Sequence, residues 1–131
     1  MKSYTDLEQS KKLAEILPLE SADMRYHTIS HYNPYPCDEI VYTMDFGKAS
    51  GIDIPCWSLA ALLAVLPFHL ILNNQRYAFS MHKGLNKDGE TYMIRYNVFN
   101  TDVCIYSTDY YNNSIDACYE MIIKLHELNL L

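Results

Sequence analysis

His27 and His31 stand four residues apart with Cys37 and Asp38 close behind, the nearest this chain comes to a metal-ligand pattern. On a helix the two imidazoles would share a face and could bind zinc, with Cys37 as a third ligand. Thr28 and Ile29 favour extended backbone, however, and no Cys-x-x-Cys or second histidine pair supplies a fourth ligand. Loop and surface histidines are the better reading, and no metal or other cofactor is expected. Cys56 precedes an apolar segment that reads as a helix, and a helix N-terminus can lower a thiol's pKa and make a nucleophile. Nothing marks a histidine partner for it, and free cysteines are more often small buried hydrophobes. Cys104 and Cys118, on apolar faces, read the same way. Asp38-Glu39, or Asp102 with Asp109, could be sought for acid–base work, but neither set implies an enclosed pocket. Four scattered glycines form no phosphate-binding loop.

The tyrosines are the compositional oddity, twelve in 131 residues. Tyr32 and Tyr35 flank or occupy the extended loop Asn33-Pro-Tyr-Pro36, and Tyr110 and Tyr111 follow Tyr106 in a turn-rich stretch. Full burial is hard in such places. Tyrosine there offers large contact area at small entropic cost, so Tyr32, Tyr35, Tyr110 and Tyr111 are the candidate binding residues.

Composition narrows the partner. Half the residues are hydrophobic and a fifth charged, in a chain of 15.2 kDa, which predicts one globular domain over residues 1–131. The net charge of −6 and only ten Lys and Arg argue against nucleic acid. Met1-Lys-Ser-Tyr-Thr-Asp-Leu-Glu8 carries no apolar targeting core and no cleavage site, so cytoplasm is expected, with the four cysteines as thiols. Residues 54–72 form a 19-residue apolar run, nearly a membrane span. Pro67 and His69 interrupt it and no basic flank follows, so a buried helix and then a strand are expected in its place.

The elements follow from pattern. Thr5 with Glu8 makes a capping box for a first helix running to about Leu17, with Leu7, Leu13, Ala14 and Leu17 on its apolar face. Residues 25–53 read as loop with two short strands, around Tyr26-Ile29 and at Ile40-Met44. The organising stretch is Ile54-Pro-Cys-Trp-Ser-Leu-Ala-Ala-Leu-Leu-Ala-Val-Leu-Pro67, apolar on every side from Leu59 to Leu66 and therefore expected to be enclosed, with Ser58 as its cap and Pro67 as its stop. Phe68, Leu70 and Leu72, then Tyr77, Phe79 and Met81, then Tyr92, Ile94 and Tyr96 alternate along strands separated by Asn73-Asn-Gln75 and Leu85-Asn-Lys-Asp-Gly89, with Val103-Cys-Ile-Tyr106 as a fourth. Ile115, Cys118, Tyr119, Ile122, Ile123 and His126 mark one face of a last helix from about Ser114 to Leu128, capped by Asn113. The expected fold is α+β, an antiparallel sheet of about four strands with helices packed on one face in two layers.

Three segments carry a resemblance: Tyr4–Leu13 with Glu20–Met24, Ile54–Leu63 with Leu66-Pro67, and Asp116–Leu125. Together they resemble small uncharacterised proteins encoded by phage and other mobile elements of gut bacteria such as Bacteroides. The resemblance implies a cytoplasmic bacterial protein and transfers no catalytic residue. Cys56-Trp57 also resembles part of the papain-type nucleophile segment, but Ile54 and Pro55 replace the Gly and Ser of that pattern. The expected function is that of a non-enzymatic accessory domain binding another protein, and itself as a homo-oligomer, with no nucleic acid or membrane partner. The alternative is a small enzyme or metal-binding domain using His27, His31, Cys37 or Cys56.

Overall fold

The computed structural model describes residues 2–27, 40–43 and 53–131; the chain divides into two compact units, Ser3–Ala61 and Lys2 with Leu62–Leu131. Its elements are α1 (Leu7–Ile16), a 3-10 turn (Leu19–Ser21), β1 (Met24–His27), β2 (Ile40–Thr43), β3 (Asp53–Cys56), α2 (Leu59–Val65), β4 (His69–Leu72), β5 (Gln75–Asn86), β6 (Gly89–Val98), β7 (Cys104–Ser107) and α3 (Ser114–Glu127). The chain is α+β. Among the described residues no helix is long and apolar enough to cross a membrane. The apolar run at 54–72 is shared among β3, α2 and β4.

In the Ser3–Ala61 unit, α1 begins one residue later than its sequence implied. Asp6 is the cap: its carboxylate accepts from the Gln9 amide at 2.8 Å, and the Gln9 side chain accepts from the Asp6 amide at 3.1 Å. Thr5, expected as the cap, is fully buried and engaged elsewhere. Its Oγ1 accepts from the Trp57 amide at 3.1 Å and lies 2.7 Å from the Ser10 hydroxyl. Its own amide donates to the Trp57 carbonyl at 2.9 Å, and its carbonyl accepts from the Tyr26 hydroxyl at 2.7 Å. A hydroxyl committed to the interior cannot also cap a helix. The buried side of α1 is narrow, Ser10 and Leu13, and Ala14 is exposed.

The strands of this unit form an antiparallel sheet in the order β2-β1-β3, with Tyr26 between Val41 and Ile54. Two short strands were expected in this region; the third, β3, contains Pro55 opposite Arg25. An edge strand tolerates a residue without an amide hydrogen. Trp57 follows it, fully buried, its indole N–H donating to the Ser21 hydroxyl at 3.0 Å. The Ser58 amide and hydroxyl both donate to the Asp23 carboxylate, and the Ser58 oxygen accepts from the Ala61 amide at 3.3 Å to start α2. That helix is not enclosed all round: Ala61 and Leu62 are buried while Ala60, Leu63 and Ala64 are exposed. Alanine on the open side puts little apolar area in water, so an all-apolar sequence does not require burial on every side.

In the Leu62–Leu131 unit the strands form an antiparallel meander in the order β4-β5-β6-β7. Asn73 and Asn74, at φ 51° and 64°, close the β4–β5 hairpin with a two-residue turn that needs positive φ at both positions. Gly89 and Asn100 adopt the same left-handed sense, at 122° and 60°, in the turns on either side of β6. A register shift at Tyr96/Asn97 interrupts the β6–β7 pairing. Leu70, Ile94 and Tyr96 are buried on one sheet face, and α3 packs against β6. The Tyr96 hydroxyl reaches the Pro67 carbonyl at 2.7 Å. Phe68, expected in series with Leu70 and Leu72, precedes β4 and is 84% exposed.

Asn113 caps α3 by accepting from the Asp116 amide at 2.8 Å. Ile115, Cys118 and Ile122 are buried as their spacing implied. The stripe then continues through Ala117, Met121 and Leu125, while Tyr119 and Ile123 are half-buried and His126 is exposed. The face is rotated by about a quarter turn from the expected one. Apolar residues occupy most of this helix's circumference, so spacing alone leaves two overlapping faces, and packing against β6 selects one.

Candidate protein-docking site

The most exposed apolar chemistry among the described residues lies at a free strand edge. Among the described residues β4 is terminal in its sheet. The Phe79 amide donates to the Phe68 carbonyl at 3.0 Å, which makes Phe68–Phe79 a hydrogen-bonded pair. In the β4–β5 register Leu70 then bonds Tyr77 and Leu72 bonds Gln75, while His69 opposite Ala78 and Ile71 opposite Arg76 are the non-bonded pairs. The amides and carbonyls of His69 and Ile71 therefore point away from the sheet, along the free edge. Their side chains are exposed, Ile71 by 61%, and the Phe68 ring stands edge-on to the His69 ring at 6.4 Å.

Register places Arg76 and then Phe99 in line with Ile71 across the sheet. Ile71 pairs with Arg76, whose carbonyl accepts from the Phe99 amide at 3.3 Å, and Phe99 is 59% exposed. Val103, bonded through its carbonyl to the Val98 amide at 2.7 Å, is exposed nearby. The opposite edge is protected. β7 is only four residues long and carries the register shift, and Lys124 Nζ donates to the Ser107 carbonyl at 3.1 Å. Such devices keep an edge from pairing with another chain. β4 is equally short but has neither a register shift nor a charge: from Leu59 to Gln75 there is no Asp, Glu, Lys or Arg.

A second feature is an open groove of about 390 Å³ between the end of β7 and α3, lined by Asp109, Tyr111, Glu120, Lys124 and Glu127 among others. Burial raises the Glu120 carboxyl above its ordinary pKa, with Asp116, Asp109 and Glu127 adding to the effect. Burial likewise raises the Tyr111 phenol, helped by Glu120, Asp109 and Asp116. Lys124, besides its bond to Ser107, lies 5.9 Å from the centre of the Tyr106 ring. The groove is therefore a negative one that repels anions.

Adjacent tyrosines part company. Tyr111 is fixed by two backbone bonds to Tyr92, at 2.7 and 2.8 Å, and lines the acidic groove. Tyr110, 59% exposed, lies over Gly84 and Thr91 beside a smaller pocket of about 240 Å³. A Cβ built on Gly84 would come 3.1 Å from Thr91 Oγ1, a tight approach, and 3.6 Å from the Tyr110 ring, an ordinary contact. Tyr32 and Tyr35 lie outside the described residues, as do His31, Cys37, Asp38 and Glu39. His27 is in β1, whose extended backbone replaces the helix that a shared imidazole face would need.

Cys56 is buried, as its preferred reading had it, and lacks the setting that the nucleophile alternative required. It sits in β3 rather than at a helix start, fully buried, and burial followed by the Asp23 charge pushes its thiol up to about 12. Burial does the same to Cys118, also to about 12. Cys104 is half-buried, its Sγ 3.1 Å from the Tyr106 carbonyl. Ser80 Oγ and His82 Nε2, 3.0 Å apart on neighbouring positions of one face of β5, form a pair that sequence reasoning missed. Among the described residues no group orients the second His82 nitrogen, and the pair lies on a half-exposed sheet surface, so the geometry falls short of an activated nucleophile.

The edge itself was half visible in the sequence: alternation gave the strand, and the uncharged run was there to be noticed, but which side of β4 lacks a neighbour depends on strand order. No protein-family model, no curated protein and no solved structure matches the chain.

Proposed function

We propose that this protein is a non-enzymatic interaction domain that docks an extended protein segment along β4, in the cytoplasm of a bacterium and in the phage or mobile-element setting its sequence resembles. The observation that supports this reading is the uncharged edge of the described sheet: outward-facing amides and carbonyls at His69 and Ile71, with exposed Phe68 and Ile71 beside them. Main-chain pairing supplies affinity in such docking, and side chains beside the edge supply selectivity. The enzyme alternative has less support, because Cys56 and Cys118 hold their protons and the Ser80–His82 pair lacks an orienting group.

The test is capture of partners by tagged protein from lysate of a gut bacterium, with a Phe68→Ser/Ile71→Lys variant alongside. Both positions are exposed, so the variant should keep the wild-type circular dichroism spectrum. The reading expects a partner present in near-equal amount with wild type and absent with the variant, and retained by Tyr110→Ser. A partner that binds the edge variant equally well overturns it.

A further inference from the structure

The occupant of the β4 edge can be named from the chemistry of the strand. We infer that it is β4 of a second copy of this chain, paired antiparallel about a two-fold axis through Leu70. This rests on the docking reading above and specifies its partner.

The pairing follows from which groups are free. His69 and Ile71 point their amides and carbonyls outward, so the register that uses all of them sets His69 opposite Ile71 of the other copy, and Ile71 opposite its His69. Each of these pairs exchanges two backbone hydrogen bonds. Leu70 then meets its own counterpart on the axis, and Phe68 meets Leu72 in a non-bonded pair, where side chains approach most closely. A two-fold interface must tolerate its own surface. Here every cross-strand pair is apolar on apolar or histidine on isoleucine, with no charge facing a like charge.

Electrostatics selects the same place. A chain of net charge −6 repels its copy over most approaches, and 59–75 is free of Asp, Glu, Lys and Arg. Two four-stranded sheets would join into one of eight strands, and the exposed Phe68 ring would be covered on both sides of the axis. The contact is a short one, so association in the micromolar range is expected rather than a permanent dimer.

Register gives a specific test. Chains carrying His69→Cys are mixed with chains carrying Ile71→Cys, oxidised gently, and the linked peptides identified by mass spectrometry, each variant alone serving as control. Sedimentation equilibrium of the wild type and of Ile71→Lys is run in parallel. The inference expects a linkage between positions 69 and 71 in the mixture and not through the introduced cysteine in either variant alone. It also expects reversible dimerisation of the wild type, weakened about tenfold or more by the edge lysine. A wild type that stays monomeric, or single variants that link to themselves as readily as the mixture links, overturns it. If self-pairing fails while the Phe68→Ser/Ile71→Lys variant still loses a captured partner, the docking reading stands and only the identity of the occupant is refuted. If both fail, the docking reading falls with it.

Discussion

Thr5→Val tests whether a single buried hydroxyl organises the Ser3–Ala61 unit. Valine keeps the shape of threonine and removes one oxygen, the atom that accepts from the Trp57 amide at 3.1 Å and meets the Ser10 hydroxyl at 2.7 Å. The Trp57 amide is left buried without an acceptor, which costs about 1–3 kcal/mol. Ser10 retains a longer bond to the Thr5 carbonyl at 3.4 Å, so its loss is partial. The expected destabilisation is about 2–3 kcal/mol in all, or a fall in Tm of roughly 6–15 °C for a chain of this size. Thr5→Ser keeps the oxygen and gives up one methyl group, about 1 kcal/mol. Asp6→Ala, which removes the actual helix cap, should also cost about 1 kcal/mol. The assay is urea denaturation followed by fluorescence of Trp57, the only tryptophan, which sits in the network being perturbed. A Thr5→Val protein as stable as wild type, or a Thr5→Ser protein as damaged as Thr5→Val, would refute the reasoning.

The remaining predictions concern burial. Cys56 and Cys118 keep their protons up to about pH 12 when folded, against 9.0 for an unperturbed thiol. Between those values the unfolded chain has released protons that the folded chain retains, so stability falls as pH rises through that window and is untouched by these thiols below it. Denaturation midpoints across alkaline pH check this, and Cys118→Ala should make the slope shallower by about one proton. At pH 8 a thiol-specific alkylating reagent should modify Cys104 before Cys56 or Cys118, as read by mass spectrometry of the folded protein, and modification of Cys56 at the rate of Cys104 would contradict its burial. Tyr96→Phe removes the 2.7 Å bond to the Pro67 carbonyl and should cost about 1 kcal/mol in a denaturation measurement, with the ring packing intact.

What the sequence made legible is what local chemistry decides. Asn73-Asn74 closes a two-residue hairpin because asparagine tolerates positive φ, and Asn113 caps α3 with its own side chain; both are written within a few residues of where they act. The alternation from Leu70 to Tyr96 likewise determines a meander with one covered face. Long-range packing decided the rest. Thr5 looked like a helix cap and serves Trp57 instead, 52 residues away. Pro55 looked like the approach to a helix and is tolerated in a strand because that strand is at an edge. The α3 face could be centred near Leu125 or near His126 by spacing, and contact with β6 chose the former. The docking edge stands between these cases, since the uncharged strand is local information but its missing neighbour is not.

Amide hydrogen exchange resolved residue by residue along β4, measured in dilute protein and again with the captured partner or in concentrated protein, tests the docking reading most directly. In dilute protein Leu70 and Leu72, bonded to β5, should exchange slowly, and His69 and Ile71, facing the free edge, should exchange fast. On association His69 and Ile71 should become protected while Leu70 and Leu72 change little. Association that leaves the His69 and Ile71 amides as exposed as before would contradict the account.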